Sequence, residues 1–104
     1  MDITELVESH LLSFTLDYQN LYIEFLILVG DERRVKVFAN NTDTSPISVD
    51  FIGLHIRSNL TTFDNVPCLG EIEFVNKTDS GFCFDGDMGV IEVTANNLSI
   101  ENAS

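Results

Sequence analysis

Two histidines, two cysteines and 17 carboxylates, set against five lysines and arginines, are the groups in this 104-residue sequence that could do chemistry. His10 and His55 lie far apart and in no metal-ligand spacing such as H-E-x-x-H, so each is read as structural. Cys68 and Cys83 could pair, or Cys83 could attack as a thiolate. Phe82-Cys83-Phe84 is apolar, however, and neighbouring acids raise a thiol pKa, so both are read as buried, unactivated thiols. Asp85-Gly86-Asp87-Met88-Gly89-Val90-Ile91-Glu92 has the oxygen donors of a calcium loop but not its register. With Asp85 and Asp87 at the third and fifth positions, Met88 falls where Gly is needed and Thr94 where the bidentate Glu belongs. A hairpin loop is expected there, with no metal or other cofactor. Glu71 and Glu73 would share one strand face, but glycosidase chemistry also needs an aromatic sugar cleft and the chain has no Trp. No G-x-S-x-G elbow, P-loop or G-x-G-x-x-G is present, so an enzyme is disfavoured.

The carboxylates carry more information as a distribution than as a total. Residues 1–32 hold seven acids and no base, residues 33–77 hold five acids and all five bases, and residues 78–104 hold five acids and no base. The two ends therefore carry the whole formal charge of -12. Brought together by a fold, they would form a negative surface that steers a basic partner. Acids that simply keep a small domain soluble are the plainer alternative. The same charge repels phosphates, which excludes direct binding of nucleic acid. No apolar run is long enough to span a bilayer as a helix, so no membrane role is expected. The acidic start Met1-Asp2-Ile3-Thr4-Glu5 lacks the bases of a signal peptide. The expectation is a cytoplasmic protein, with silent sequons at Asn40, Asn59, Asn76, Asn97 and Asn102 and no stable disulfide.

These groups have to be positioned by elements that read mostly as strands. At 44% hydrophobic with eight Phe, the chain has the apolar content of one folded domain, residues 1–104. Asp2 and Glu5 have the form of a capping box, and Ile3, Leu6, Val7 and His10 follow at helical spacing, predicting one short opening helix. The period then becomes two. Leu12, Phe14, Leu16 and Tyr18 alternate with polar residues, as do Leu21, Ile23, Phe25, Ile27 and Val29. A two-residue Gln19-Asn20 turn would pair Tyr18 with Leu21, Leu16 with Ile23, Phe14 with Phe25 and Leu12 with Ile27. Val35, Val37 and Ala39 form the inner side of a third strand whose Arg34-Lys36-Phe38 face is solvated.

Residues 40–46 read as a loop. Ile47 to Arg57 reads as a strand with a β-bulge beside Gly53, where the apolar positions change phase. Residues 58–69 form a longer connection. Ile72 and Phe74 alternate with Glu71, Glu73 and Val75 in a further strand. A loop over residues 85–88 would pair Phe84 with Gly89 and Phe82 with Ile91. An Asn96-Asn97 turn would pair Ala95 with Leu98 and Val93 with Ile100, and residues 102–104 would fray. About eight strands imply a mainly β fold, an antiparallel β-sandwich or flattened barrel with one short N-terminal helix.

Glu8-Ser9-His10-Leu11-Leu12-Ser13-Phe14, the run of β-hairpins, and the closing Phe84-Asp85-Gly86-Asp87-Met88-Gly89-Val90-Ile91-Glu92-Val93 together resemble small bacterial immunity proteins. In particular the chain is similar to the cytoplasmic immunity proteins of contact-dependent growth inhibition systems. The resemblance covers most of the chain in size and pattern and transfers no binding residue. It implies a tight one-to-one complex with a cognate toxin C-terminal domain and no catalysis. The acidity fits a toxin whose site is basic because it must hold phosphates, with a ribonuclease as the first expectation. Acids on turns and edges of the charge-biased ends are the candidate partner contacts: Asp17, Asp31, Glu32, Asp79, Asp85 and Asp87, followed by Glu71 and Glu73. Two other classes stay open. One is a β-rich adaptor domain that binds a cellular protein. The other is a small-molecule-binding β-barrel in which Phe14, Phe25, Phe82 and Phe84 line a cavity instead of filling a core.

Overall fold

The computed structural model describes every residue except Asp31, Ser58, Phe63 and Ser104. The capping box at the start is formed, with the Asp2 carboxylate accepting from Thr4 N and the Glu5 carboxylate accepting from Asp2 N at 2.6 Å. What it caps is one 3-10 turn, Ile3–Leu6, that buries Ile3 and Leu6. The turn cannot continue because Glu8 takes a left-handed φ of 68°. Val7 is left exposed, and His10 begins a strand instead of extending a helical face.

Eight antiparallel strands follow: β1 (His10–Asp17), β2 (Tyr22–Val29), β3 (Arg33–Asn40), β4 (Ser48–Ile52), β5 (Gly70–Thr78), β6 (Gly81–Gly86), β7 (Gly89–Thr94) and β8 (Asn97–Asn102). They form one sheet in the order β4-β7-β6-β5-β1-β2-β3-β8, with β4 and β8 at its edges. The join between β5 and β1 is narrow, with His10 opposite Glu71 and Leu11 opposite Gly70. There the sheet doubles over into two layers, β1-β2-β3-β8 and β5-β6-β7-β4. Period-two alternation points Ile23, Phe25, Ile27, Val35, Val37 and Ala39 inward from the first layer, and Phe82, Phe84, Ile91 and Val93 inward from the second. Phe25 meets Phe82 and Phe84 edge-on, with centroids 6.1 and 5.1 Å apart, and Phe14 meets Phe51 at 5.4 Å. The phenylalanines thus pack on one another across the layers, a geometry that adds to their area burial. β5 starts against β1, while Lys77 and Thr78 near its end line a depression with Leu98 of β8. It therefore runs from the β1 side of the first layer towards its β8 side. The mainly β, sandwich-like architecture is the one the strand pattern implies.

Several local expectations are corrected. The β1–β2 connection is a four-residue loop between Asp17 and Tyr22, and Tyr18, which was to pair with Leu21, is 80% exposed. The Leu16–Ile23 and Phe14–Phe25 pairs form, but a register shift between Leu11 and Ser13 puts Leu11, not Leu12, opposite Ile27. One extra residue in β1 thus moves Leu11 to the inner face. β4 stops at Ile52. The phase change beside Gly53, at φ 61°, marks the end of the strand and not a bulge within it, and Leu54 and Ile56 are exposed. In the β6–β7 hairpin Phe84 pairs with Ile91 and Phe82 with Val93, two residues from the expected register, because Asp87-Met88 alone makes the turn. A shift of two keeps every side chain on its expected face.

β7 and β8 form no hairpin. β8 crosses to the first layer and pairs with β3, Asn97 opposite Asn40 through to Asn102 opposite Val35. The crossing is tied by side chains: Asn96 Oδ1 accepts from Thr42 N at 2.9 Å, and Asn41 Oδ1 accepts from Asn96 N at 2.8 Å. The Ala95 N–H, which a two-residue turn would bond to Leu98, donates instead to Ser80 O at 2.9 Å. Asn102 and Ala103 are also held, since Asn102 lies in β8 and Ala103 N donates to Arg34 O at 2.9 Å, while Ser104 lies outside the described residues.

Candidate functional site

Strand pairing decides which of the acids can act together. The outer face of the second layer is a grid of three rows read across β5, β6, β7 and β4. Its first row is Phe74, Asp85, Val90, Ile52. Its second is Asn76, Cys83, Glu92, Asp50, and its third is Thr78, Gly81, Thr94, Ser48. Asp50, Asp85 and Glu92 are its charged residues, so the face carries three carboxylates and no base. Asp50 and Glu92 stand directly opposite each other, a like-charge pair that destabilises a sheet in isolation.

Phe74 reaches this face through a defect in β5. The pairing with β6 shifts register between Ile72 and Phe74, so Ile72 and Val75 turn to the core while Glu73 and Phe74 are both exposed. Phe74 is 62% exposed, contrary to the expected Ile72–Phe74 alternation, while Glu71 and Glu73 still flank the inward Ile72. Near the bulge, the Asp87 carboxylate accepts from Glu71 N at 3.0 Å, and Asp87 N donates back to Glu71 O at 3.3 Å. A Cβ at Gly86 would fall on the Glu71 carbonyl, so only glycine allows β6 to pass here. Gly70, Glu71, Gly86 and Asp87 thereby fix the end of the grid at which Phe74 and Asp85 emerge.

The candidate acids divide accordingly. Glu71, Glu73, Asp85 and Asp87 are brought together around the β5 bulge and the β6–β7 turn. Asp17 is not with them, because it ends β1 and Glu71 pairs with the strand's first residue, about 23 Å away at strand rise. Its carboxylate accepts from Asn20 Nδ2, Asn20 N and Gln19 N at 2.9, 2.8 and 3.0 Å, and these bonds hold it below the ordinary carboxylate range. Asp17 therefore closes the β1–β2 loop. Asp79 lies in the β5–β6 turn, at the far end of β5 from Glu71, and Glu32 lies in the β2–β3 turn beside Arg33 and Arg34. Asp31 lies outside the described residues.

The chain ends do meet, but not as a bare negative surface. Met1 lines a depression with Arg33, Val35 and residues 100–102, the Arg33 guanidinium donates to Asn102 Oδ1 at 3.2 Å, and Glu101 pairs with Lys36 across the strands. The acids gathered on the open face come from two segments, Asp50 from the charge-neutral middle and Asp85 and Glu92 from the C-terminal third. Asp50, Glu92 and Phe74 were missed in the sequence. Asp50 sits in a neutral segment, and Phe74 reads as core unless the bulge is known. The Gly86 position was the available signal, since a glycine within a strand pattern marks a bulge or a close backbone approach.

Both cysteines are free. Burial pushes the Cys68 thiol up, against a hydrogen bond from the Gly70 backbone, and the Asp87 charge adds to the rise. Cys83 lies on the outer face, half-buried, with the Asn76 amide 3.9 Å from its sulfur, so the expectation of two buried thiols holds for Cys68 and not for Cys83. Among the described residues, no set of three or more His, Cys, Asp or Glu side chains is placed to hold a metal ion. No helix among them is long and apolar enough to cross a membrane. An open apolar cleft of about 410 Å³ lies between the β1–β2 loop and the lead into β4, lined by Leu16, Tyr18, Leu21, Pro46 and Ile47 among others. It contains none of the four core phenylalanines that a ligand-binding barrel would use. Compared with protein-family models, curated proteins and solved structures, the chain matches none of them.

Proposed function

We propose that this protein is a cytoplasmic immunity protein that binds one-to-one to a cognate basic toxin domain and neutralises it without catalysis. The observation that carries the reading is the outer face of the second layer, where Asp50, Asp85 and Glu92 share a rigid sheet with no base to offset them. A nuclease must present cations to hold phosphates, so an array of fixed carboxylates can occupy the same cations and block the approach of substrate. A ribonuclease is the first expectation for the toxin. The excess charge serves capture as well as affinity, because complementary fields raise association rates towards about 10⁸–10⁹ M⁻¹s⁻¹ at low salt. The likeness to immunity proteins of contact-dependent growth inhibition systems adds support from size and strand pattern.

The test is capture on tagged protein from the source lysate at low salt, elution by raised salt, and a nuclease assay on the eluate. A single basic polypeptide recovered in one-to-one amount, whose nuclease activity stops at one equivalent of this protein, is the expected result. A non-toxic housekeeping complex, or an empty eluate despite confirmed toxin expression, would overturn the reading in favour of an adaptor.

A further inference from the structure

We infer that the docking surface is the Phe74 end of the outer face of the second layer, and that its occupant is a basic protein patch that lays an arginine over the Phe74 ring. The inference rests on the reading of this protein as a binder of a basic partner, and it names where that partner sits and which cation it uses. Three features converge here. The β5 bulge turns a phenylalanine outward that plain alternation would have buried, leaving it 62% exposed. Bulges commonly re-aim a side chain in this way beside functional sites. Phe74 then opens a row that continues through Asp85 and Val90 to Ile52, itself 55% exposed, so an apolar strip is interrupted by one carboxylate. Glu73 and the opposed pair Asp50 and Glu92 border the strip, giving an apolar centre with a charged rim, the layout of a protein interface.

Charge complementarity selects the occupant. A cation near Asp50 and Glu92 relieves a repulsion that the free protein retains. Arginine is favoured over lysine because its planar, weakly hydrated guanidinium stacks on an aromatic ring and bonds a carboxylate through two N–H groups. Phe74 and Asp85 are cross-strand partners, with Cβ atoms about 5 Å apart, so one guanidinium can lie on the ring and reach the carboxylate.

The experiment titrates the full chain, labelled for NMR, with deca-arginine and deca-lysine at low salt. Phe74→Ala, Phe74→Leu and Asp85→Asn are compared with Asp79→Asn as a control on another surface. The expected shifts centre on Phe74, Asp85, Val90 and Ile52. Both Phe74 variants should weaken deca-arginine about fivefold and change deca-lysine less than twofold, Asp85→Asn should weaken both, and Asp79→Asn should weaken neither. Shifts spread evenly over the acidic surface, or deca-arginine binding unchanged by Phe74→Ala, would overturn the inference. If a toxin is captured but Phe74 variants bind it and deca-arginine normally, this surface assignment falls and the immunity reading stands. If deca-arginine binds here as described and no toxin is captured, the immunity reading falls and the arginine-receiving surface stands.

Discussion

The outer faces of the two layers have the same pleated geometry and opposite electrostatic character. On the first layer, Glu24 pairs with Lys36 at 3.8 Å, Arg34 and Lys36 share β3, Glu101 stands opposite Lys36, and Tyr22 stacks on Phe38 at 5.0 Å. Charges there are offset and the exposed aromatics are mutually covered. On the second layer, Asp50 opposes Glu92, Asp85 has no base beside it, and Phe74 stands uncovered. A surface whose groups satisfy one another needs nothing from outside. One that leaves like charges opposed and a phenylalanine in water gives up local stability that a partner can restore. The outer face of the first layer thus satisfies itself, and that of the second is the one we propose meets a partner.

The comparison breaks first at the core the layers share. Phe25→Ala should cost about 3–5 kcal/mol in denaturant unfolding, because it opens a cavity against Phe82 and Phe84, whereas Phe74→Ala should stay within about 0.5 kcal/mol. Comparable losses for the two would mean that Phe74 is packed and the second face is ordinary surface. Asp85→Lys should reduce affinity for the captured toxin by about 2–5 kcal/mol with little change in melting temperature, while Asp79→Lys should mainly slow association and flatten its salt dependence. Reversal of both with no effect on binding would remove the asymmetry as a functional argument.

Smaller effects test how the layers are tied. Asn41→Ala removes the acceptor for Asn96 N, and its stability loss should be about 1 kcal/mol, read from the shift in denaturation midpoint. The loop acids Asp17 and Asp43 are both held below the ordinary carboxylate range, Asp17 by Asn20 first and Asp43 by Ser45 first. A carboxyl depressed on folding contributes stability that is present above its unfolded pKa and lost as pH falls through its folded one. Unfolding monitored on lowering the pH below about 4 should therefore show a shallower decline for Asp17→Asn than for wild type. Lys36→Ala should change stability least, by no more than about 0.5 kcal/mol, since its ion pair with Glu24 is solvent-exposed.

Strand identity was legible along most of the chain because a buried face repeats every second residue, as in Ile23-Phe25-Ile27 and Val35-Val37-Ala39. What failed was pairing beyond the nearest turn. Ala95-Asn96-Asn97-Leu98 has the composition of a hairpin, yet β8 pairs with β3, whose free edge and Asn40, Asn41 and Thr42 hydrogen-bonding groups are invisible to local pattern. For the site, Glu71, Glu73, Asp85 and Asp87 could be chosen from turn and edge positions. Asp17 could be chosen on the same grounds but is engaged by its own loop. Asp50 could not be found at all, because its partner Glu92 lies 42 residues further along the chain.

By itself the sequence determined the period of the strands, the phenylalanine-rich core, the capping box at Asp2 and the excess of negative charge. Each of these depends on residue type or on spacing within a few positions. Only the tertiary structure decided that the sheet doubles over at the short β1–β5 join and that a bulge turns Phe74 out. The same holds for the carboxylates from two distant segments that share one face. Those outcomes depend on which strand edges meet, and long-range pairing is chosen by the burial and backbone hydrogen bonding of the whole sheet, not by any local run of residues.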